Sequence, residues 1–365
     1  MDLLVVYSPC GGGHKAAANA LVEAARARGL VSEAIDAFEF APTWATEAYL
    51  AAHYNGQNRA PELYGAGYHA TDARGGAWER LRLTVDRVLF RPLRDRVRAI
   101  QPRAIVCTHH LPLVVLGRER RKGRLSVPVT GVITDYAAHA CWAERGVDRF
   151  CVPSLHAYGD LVRHRVDPSR IATTGIPVRA AFERIAPIRA PMRGEKLRVL
   201  VTNGGFGVGP IEQIVRSFAG HGEVDLTVVC GAAKDVEARV REIAESARVI
   251  GFEKEMAARV EEAHVVVGKA GGLTVSETLT AGRPLIIVGA IPGNEKLNEH
   301  FVAGGGAGIA ARPSDAAAAA LWLRDENLLE RMGARGRLLV MTHAADRVLA
   351  ESVSRDPTRI AALSA

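Results

Sequence analysis

Aromatic residues make up only 5% of this 365-residue chain, and lysine is scarce beside arginine. Five cysteines, Cys10, Cys107, Cys141, Cys151 and Cys230, lie scattered with no C-x-x-C pair. That pattern argues against a disulfide framework or a zinc site and fits a reducing cytoplasm. No stretch approaches the roughly 18–20 apolar residues of a membrane span. The apolar start, Leu3–Tyr7, is too short for a signal core and lacks a basic flank. Internal repeats and low-complexity tracts are missing as well, so solenoids and linker-like chains drop out.

What is present is ordinary for a globular protein: 48% hydrophobic and 24% charged residues. The length suffices for two α/β domains with full cores. A net charge of +7 suits nucleic acid, acidic lipid or a phosphate-bearing substrate, and does not choose among them.

Short β-branched or apolar runs alternate with longer helical patterns. The first half has runs at 3–7, 104–108, 127–134, 149–152 and 171–174; the second has them at 198–202, 225–230, 248–251, 264–268 and 284–288. Near-continuous apolarity in runs this short predicts strands buried on both faces, hence parallel sheets flanked by helices. The stretch 185–196, with two prolines, mixed charge and no periodicity, reads as a linker. The expected organisation is a domain over 1–185, a second over 195–345, and a C-terminal helix over 346–365 returning to the first.

The first strand runs into Ser8-Pro9-Cys10-Gly11-Gly12-Gly13-His14 and then a helical pattern. Glycines allow a tight turn and close approach of another molecule. A helix N-terminus adds unpaired N–H groups and partial positive charge. His14 then stands at the ligand-binding edge of an open sheet. It is either a surface histidine on a tight turn or a general base.

The second half repeats the device. The strand at 199–202 leads into Asn203-Gly204-Gly205-Phe206-Gly207-Val208-Gly209, a second phosphate-cradle candidate. The strand at 264–267 ends in Gly268-Lys269-Ala270-Gly271-Gly272-Leu273-Thr274-Val275-Ser276-Glu277. Gly271 and Gly272 would open a helix, with Glu277 about one turn further on. A carboxylate there can accept from both hydroxyls of a ribose, or it is simply a helix-surface acid. After the next strand comes Pro292-Gly293-Asn294-Glu295-Lys296-Leu297-Asn298, a polar loop able to meet sugar hydroxyls.

These motifs, with Ala281-Gly282-Arg283-Pro284 between them, resemble the donor site of glycosyltransferase family 28. Within it they are most similar to the diacylglycerol glucosyltransferases and monogalactosyldiacylglycerol synthases, and more distantly to the peptidoglycan N-acetylglucosaminyltransferase. The likeness extends to Gly11-Gly12-Gly13-His14, to Val132-Ile133-Thr134-Asp135 with His139 and Trp142, to Val147-Asp148 with Val152-Pro153, and to Thr174–Arg179. The resemblance implies a GT-B fold, two Rossmann-like doubly wound domains facing across a cleft, and inverting transfer of a hexose from a uridine diphosphate sugar.

By the same resemblance Glu277 holds the ribose, backbone around Ile250, Gly251 and Phe252 meets the uracil, and Asn294 and Glu295 meet the sugar. Gly204, Gly205, Gly271, Gly272, Leu273, Thr274 and Asn298 complete the donor set. His14 is the base, with Asp135 orienting it or competing for the role. Gly12, Gly13, His139 and Trp142 face the acceptor, expected to be a lipid hydroxyl, diacylglycerol first. His139 and Trp142 also fit a plain packing role. No metal or other cofactor is expected. Asn294 departs from the glutamine common before the glutamate, which bears on which sugar is used.

Between Phe38 and Trp78 lie eight of the twenty aromatics. Arg74–Arg98 carries eight arginines against three acids, a local charge of +5, and Arg118–Arg124 is a second basic knot. Leu81, Val85, Val88 and Leu89 follow helical spacing. This flank is either a surface facing anionic lipid at the cytoplasmic side of the membrane or an amphipathic helix packed on its sheet. No nucleic-acid module accompanies the arginines. The competing activities are transfer to a soluble small molecule and 2-epimerisation of a nucleotide sugar; the latter would want converging carboxylates that the first half does not offer.

Overall fold

The computed structural model describes residues 1–73, 84–86, 88–205, 209–244 and 246–353. The chain packs as two units. The first comprises Met1–Cys10, His14–Arg179 and the stretch from His343; the second is built on Ala180–Thr342.

The first unit is a six-stranded parallel sheet: β1 (Leu3–Tyr7), β2 (Ser32–Asp36), β3 (Ala104–Cys107), β4 (Val129–Val132), β5 (Arg149–Val152) and β6 (Ile171–Thr173), in the order β2-β1-β3-β4-β5-β6. The second holds β7 (Leu197–Thr202), β8 (Val224–Val229), β9 (Arg248–Ile250), β10 (Val265–Gly268), β11 (Leu285–Val288) and β12 (Gly308–Ala311), in the order β12-β11-β10-β7-β8-β9, again all parallel.

Ten of these twelve strands coincide with the apolar runs. The two without such a run, β2 and β12, are both edge strands. An edge strand is half-covered, so its sequence need not be apolar throughout. Ser-Glu-Ala-Ile-Asp of β2 buries only Ser32 and Ile35, and Gly-Ile-Ala-Ala of β12 only Gly308.

The C-terminal helix, Ala344–Val353, lies on the first sheet. Val348 and Leu349 are buried there with Leu3, Val5, Val106 and Cys151, each worth about 1.5–3 kcal/mol of apolar burial. Ion pairs Arg28–Asp346 at 2.7 Å and Arg149–Glu351 at 2.5 Å fix its register. The expected helix over 346–365 thus starts two residues early, and its part beyond 353 lies outside the described residues. The proline-containing stretch after Arg184 is not wholly exposed: Ile185 is buried and Ile188 joins the core of the second unit. Arg283 explains the Ala281–Pro284 motif structurally. Its buried guanidinium donates to the carbonyls of Ala263, Ala281, Glu261 and Ala186, closing the turn before β11. Burial lowers its pKa to about 10, which leaves it charged at neutral pH.

Candidate functional site

In the first sheet β1 has β2 on one side and β3 on the other, so the chain reverses its direction of travel between them. Loops leaving the carboxyl ends of strands diverge at such a point and leave a crevice. His14, Thr108 and Thr134 meet there. Gly11, at φ 85°, turns the chain out of β1, and the alanine-rich helix Gly12–Ala27 begins at once, burying Ala17, Ala18, Leu21, Val22 and Ala25. Gly12, Gly13 and His14 form its first turn.

His14 Nδ1 lies 2.7 Å from the carbonyl of Thr108, the residue after β3, and 3.1 Å from the hydroxyl of Thr134 after β4. The Thr108 hydroxyl donates back to the His14 carbonyl at 2.9 Å. A carbonyl cannot donate, so Nδ1 carries the proton and Nε2 holds the lone pair. Burial lowers the His14 pKa to about 4, partly offset by the Thr108 hydrogen bond. The ring is therefore neutral and oriented, as a proton acceptor must be.

His109 adds an edge-on ring 4.6 Å from His14. Its own Nδ1 accepts from the Leu111 N–H at 3.3 Å, capping the helix His110–Arg121. Thr108, His109 and Thr134 were not read as site residues from the sequence. The signal was available: all three sit just past buried strands, like His14.

Asp135 follows Thr134 and is half-buried. The contacts that orient His14 at Nδ1 come from Thr108 and Thr134. The charge of Asp135, after burial, helps raise the pKa of the Tyr68 hydroxyl. His139 is held on both nitrogens: Nδ1 accepts from the Cys141 N–H at 3.1 Å, and Nε2 donates to the Tyr68 carbonyl at 2.9 Å. Trp142 is buried in the core of the first unit, its ring 6.1 Å from that of His110. Both residues serve packing and capping here. Cysteine chemistry is remote: burial pushes the Cys10 and Cys151 thiols up to about 12, so neither is a thiolate at neutral pH.

The second sheet reverses between β7 and β10. Past β7, Asn203 is 3% exposed and Gly204 turns the chain at φ 75°; Phe206, Gly207 and Val208 lie outside the described residues. Past β10, Gly271 takes the N-cap position of the helix Gly272–Thr280 with no capping side chain. Its first-turn N–H groups therefore receive no acceptor from a capping side chain. Leu273 is buried; Thr274 and Glu277 are half-buried on this helix.

Glu295 and Asn298 bind the turn to the helix Asn294–Gly304. Glu295 accepts the Ile291 N–H at 2.9 Å and lies 3.3 Å from Lys269 Nζ. Asn298 donates to the Ala270 carbonyl at 2.8 Å. Asn294 opens that helix. Lys269, not read as a site residue from the sequence, is the cation of this turn. Both Glu295 oxygens are engaged, though a carboxylate has about four acceptor positions and retains some.

At the other side of the sheet, the Ile250 and Gly251 carbonyls accept from Cys230 and Gly231 at 2.9 and 3.1 Å. Phe252 is 62% exposed, and its ring edge comes within 3.9 Å of where a Gly205 side chain would begin.

Residues 14–178 match the monogalactosyldiacylglycerol synthase model, and residues 199–315 match the glycosyltransferase family 28 C-terminal domain. Together they take in most of the chain. The protein belongs to glycosyltransferase family 28. As a member of the family it is a glycosyltransferase with the GT-B fold. It is 25% identical over 275 residues to the processive diacylglycerol beta-glucosyltransferase of Bacillus pumilus, covering 72% of this chain and 71% of that one. To the Bacillus cereus (strain B4264) protein of the same name it is 24% identical over 371 residues, 96% and 94% covered. The crystal structure of Acinetobacter baumannii MurG superposes with a TM-score of 0.59 at 17% identity, covering 95% of this chain and 98% of that one.

In this family member the first basic stretch is partly consumed by ion pairs. Arg94, 12% exposed at its side chain, lies 3.2 Å from Glu119, and Arg98 lies 2.9 Å from it. Of the residues at helical apolar spacing, Val85 and Val88 are 45% and 71% exposed, while Leu89 packs on the core. Arg74, Trp78, Arg80, Leu81, Arg82 and Arg87 lie outside the described residues.

Proposed function

We propose that this glycosyltransferase moves a hexose from a uridine diphosphate sugar to the hydroxyl of diacylglycerol, inverting the anomeric centre, without a metal, at the cytoplasmic face of the membrane. The observation that carries the reading is the tautomer of His14: Nδ1–H is spent on Thr108, so Nε2 is the basic nitrogen. Nε2 takes the acceptor hydroxyl proton as that oxygen bonds to the anomeric carbon. The bond from that carbon to the diphosphate breaks on the opposite face, and the nucleoside diphosphate departs.

The donor is read along the carboxyl edge of the second sheet. Glu295 and Asn294 after β11 meet the sugar; the Gly271–Gly272 turn and Lys269 after β10 meet the diphosphate; Glu277 takes the ribose; Phe252 and its neighbours after β9 meet the base. The first-turn N–H groups and Lys269 supply the positive charge that a leaving diphosphate requires. Diacylglycerol is preferred because the Bacillus relatives are named for it. Exposed Trp44, Leu63 and Val88 also give the first unit apolar side chains to insert at an interface. No helix among the described residues is long and apolar enough to cross a membrane, so attachment would be peripheral.

The test is a screen of uridine diphosphate sugars against diacylglycerol vesicles, read by mass spectrometry. Glycosylated diacylglycerol is expected. Transfer only to soluble acceptors, or an epimerised donor sugar with no acceptor present, would overturn the lipid assignment.

A further inference from the structure

The hydrogen bonds to His14 hold one corner of its ring. Thr108 and Thr134 both meet Nδ1, and neither touches the far side, where Nε2 lies. A hydrogen bond tolerates a bend of roughly 30° before it weakens, and rocking the ring that far swings Nε2 by about 1 Å. A displacement of that order can cost a reaction about a hundredfold in rate. Holding Nε2 still therefore needs a second contact on the imidazole. His109 supplies one: the two ring centroids are 4.6 Å apart at an interplanar angle of 79°.

His109 is 4% exposed, and its Nδ1 accepts the Leu111 N–H at 3.3 Å, capping the helix His110–Arg121. An accepting Nδ1 carries no proton, so this ring is neutral and sets no charge beside His14. Capping alone does not call for an imidazole. Ser, Thr, Asp and Asn are the preferred N-caps and accept the same bond with a shorter side chain. What the imidazole adds is an aromatic body that reaches His14. That body is itself backed. The His110 ring stands 4.3 Å from it, and the ring of Trp142, buried in the core of the first unit, lies 6.1 Å from that of His110. His109 also directly follows Thr108, so the peptide between them bears the carbonyl that His14 bonds.

We propose that His109 is a positioning residue for sugar transfer: its ring braces the His14 imidazole so that Nε2 stays aimed at the acceptor hydroxyl. The inference rests on the reading of His14 as the base. In this role His109 touches no substrate. The row from Trp142 through His110 and His109 carries the rigidity of the core to the ring that takes the proton.

Two substitutions in the full-length enzyme separate the ring from the cap. His109→Asn keeps a capping acceptor and removes the ring; His109→Phe keeps a ring and removes the acceptor. Transfer to diacylglycerol vesicles is measured for both. His109→Asn is expected to lower kcat roughly tenfold to a hundredfold, with KM for the donor and affinity for uridine diphosphate unchanged. His109→Phe is expected to keep kcat and to melt at a lower temperature. Apart from turnover, NMR of protein with isotope-labelled histidine follows exchange of the His14 Nδ1 proton with water. Exchange should quicken in His109→Asn and stay slow in His109→Phe. Loss of kcat in both folded variants, or in neither, overturns the bracing role. If His109→Asn turns over at the wild-type rate while its proton exchanges faster, the fault lies with His14 as the base. If exchange is also unchanged, it lies with the contact.

Discussion

His14 is fixed by Thr108, 94 residues away in sequence, through a 2.7 Å hydrogen bond from Nδ1 to a main-chain carbonyl. The bond joins the residues that follow the two neighbouring strands β1 and β3. It settles which ring nitrogen is basic, and its upward pull on the ring's pKa is outweighed by the burial that lowers it.

Replacing His14 by Ala should remove about two to four orders of magnitude from transfer and leave calorimetric affinity for uridine diphosphate unchanged. Turnover at the wild-type rate would dismiss His14 as the base. Thr134→Val is the milder companion: the Thr108 bond survives, so a loss of roughly tenfold or less is expected.

Acid should inactivate the enzyme late. The His14 pKa is lowered to about 4 by burial, so the ring stays neutral above that value and kcat/KM should hold until pH nears 4. An acid limb centred near 6.5 would contradict the buried geometry. Stability follows the same groups with a defined sign. His14 and His264 both titrate near 4 in the fold, against 6.5 when unfolded. Between these values the unfolded chain binds more protons, so unfolding free energy should fall as pH drops from about 6.5 towards 4. A urea midpoint that does not fall over that window would refute both assignments.

Lys269 and Glu295 form a largely buried pair, 14% and 10% exposed. Lys269→Met strands the carboxylate and should cost about 3 kcal/mol in denaturant unfolding. The double variant with Glu295→Gln should recover much of that loss. Additive losses would mean the two side chains do not interact.

Glu277→Ala should weaken uridine diphosphate binding by roughly tenfold or more, the worth of a charge-assisted hydrogen bond. Equal affinity would remove Glu277 from the ribose.

Leu349→Ala should destabilise the first unit by about 2–5 kcal/mol, because Leu349 is buried against Leu3, Val5 and Val106. An unchanged melting temperature would show that the C-terminal helix does not support that sheet.

Apolar runs and glycine turns determine most of this fold by themselves, since a strand buried on both faces must be apolar and a strand-to-helix reversal needs a residue tolerant of positive φ, as at Gly11 and Gly204. They also place His14 and Gly271 just past strand ends, and Glu277 on the helix that follows, where loops can form a site. The edge strands β2 and β12 escape that logic because one open side relaxes the demand for apolar residues. Partnership was decided only in three dimensions. Residues far apart in sequence tie Nδ1 of His14 to Thr108 and Thr134, spend both nitrogens of His139, draw Lys269 to Glu295, and gather two arginine stretches around Glu119. Local pattern records which face of an element is buried; it carries no record of which distant element covers it, and the chemistry of these side chains rests on that cover.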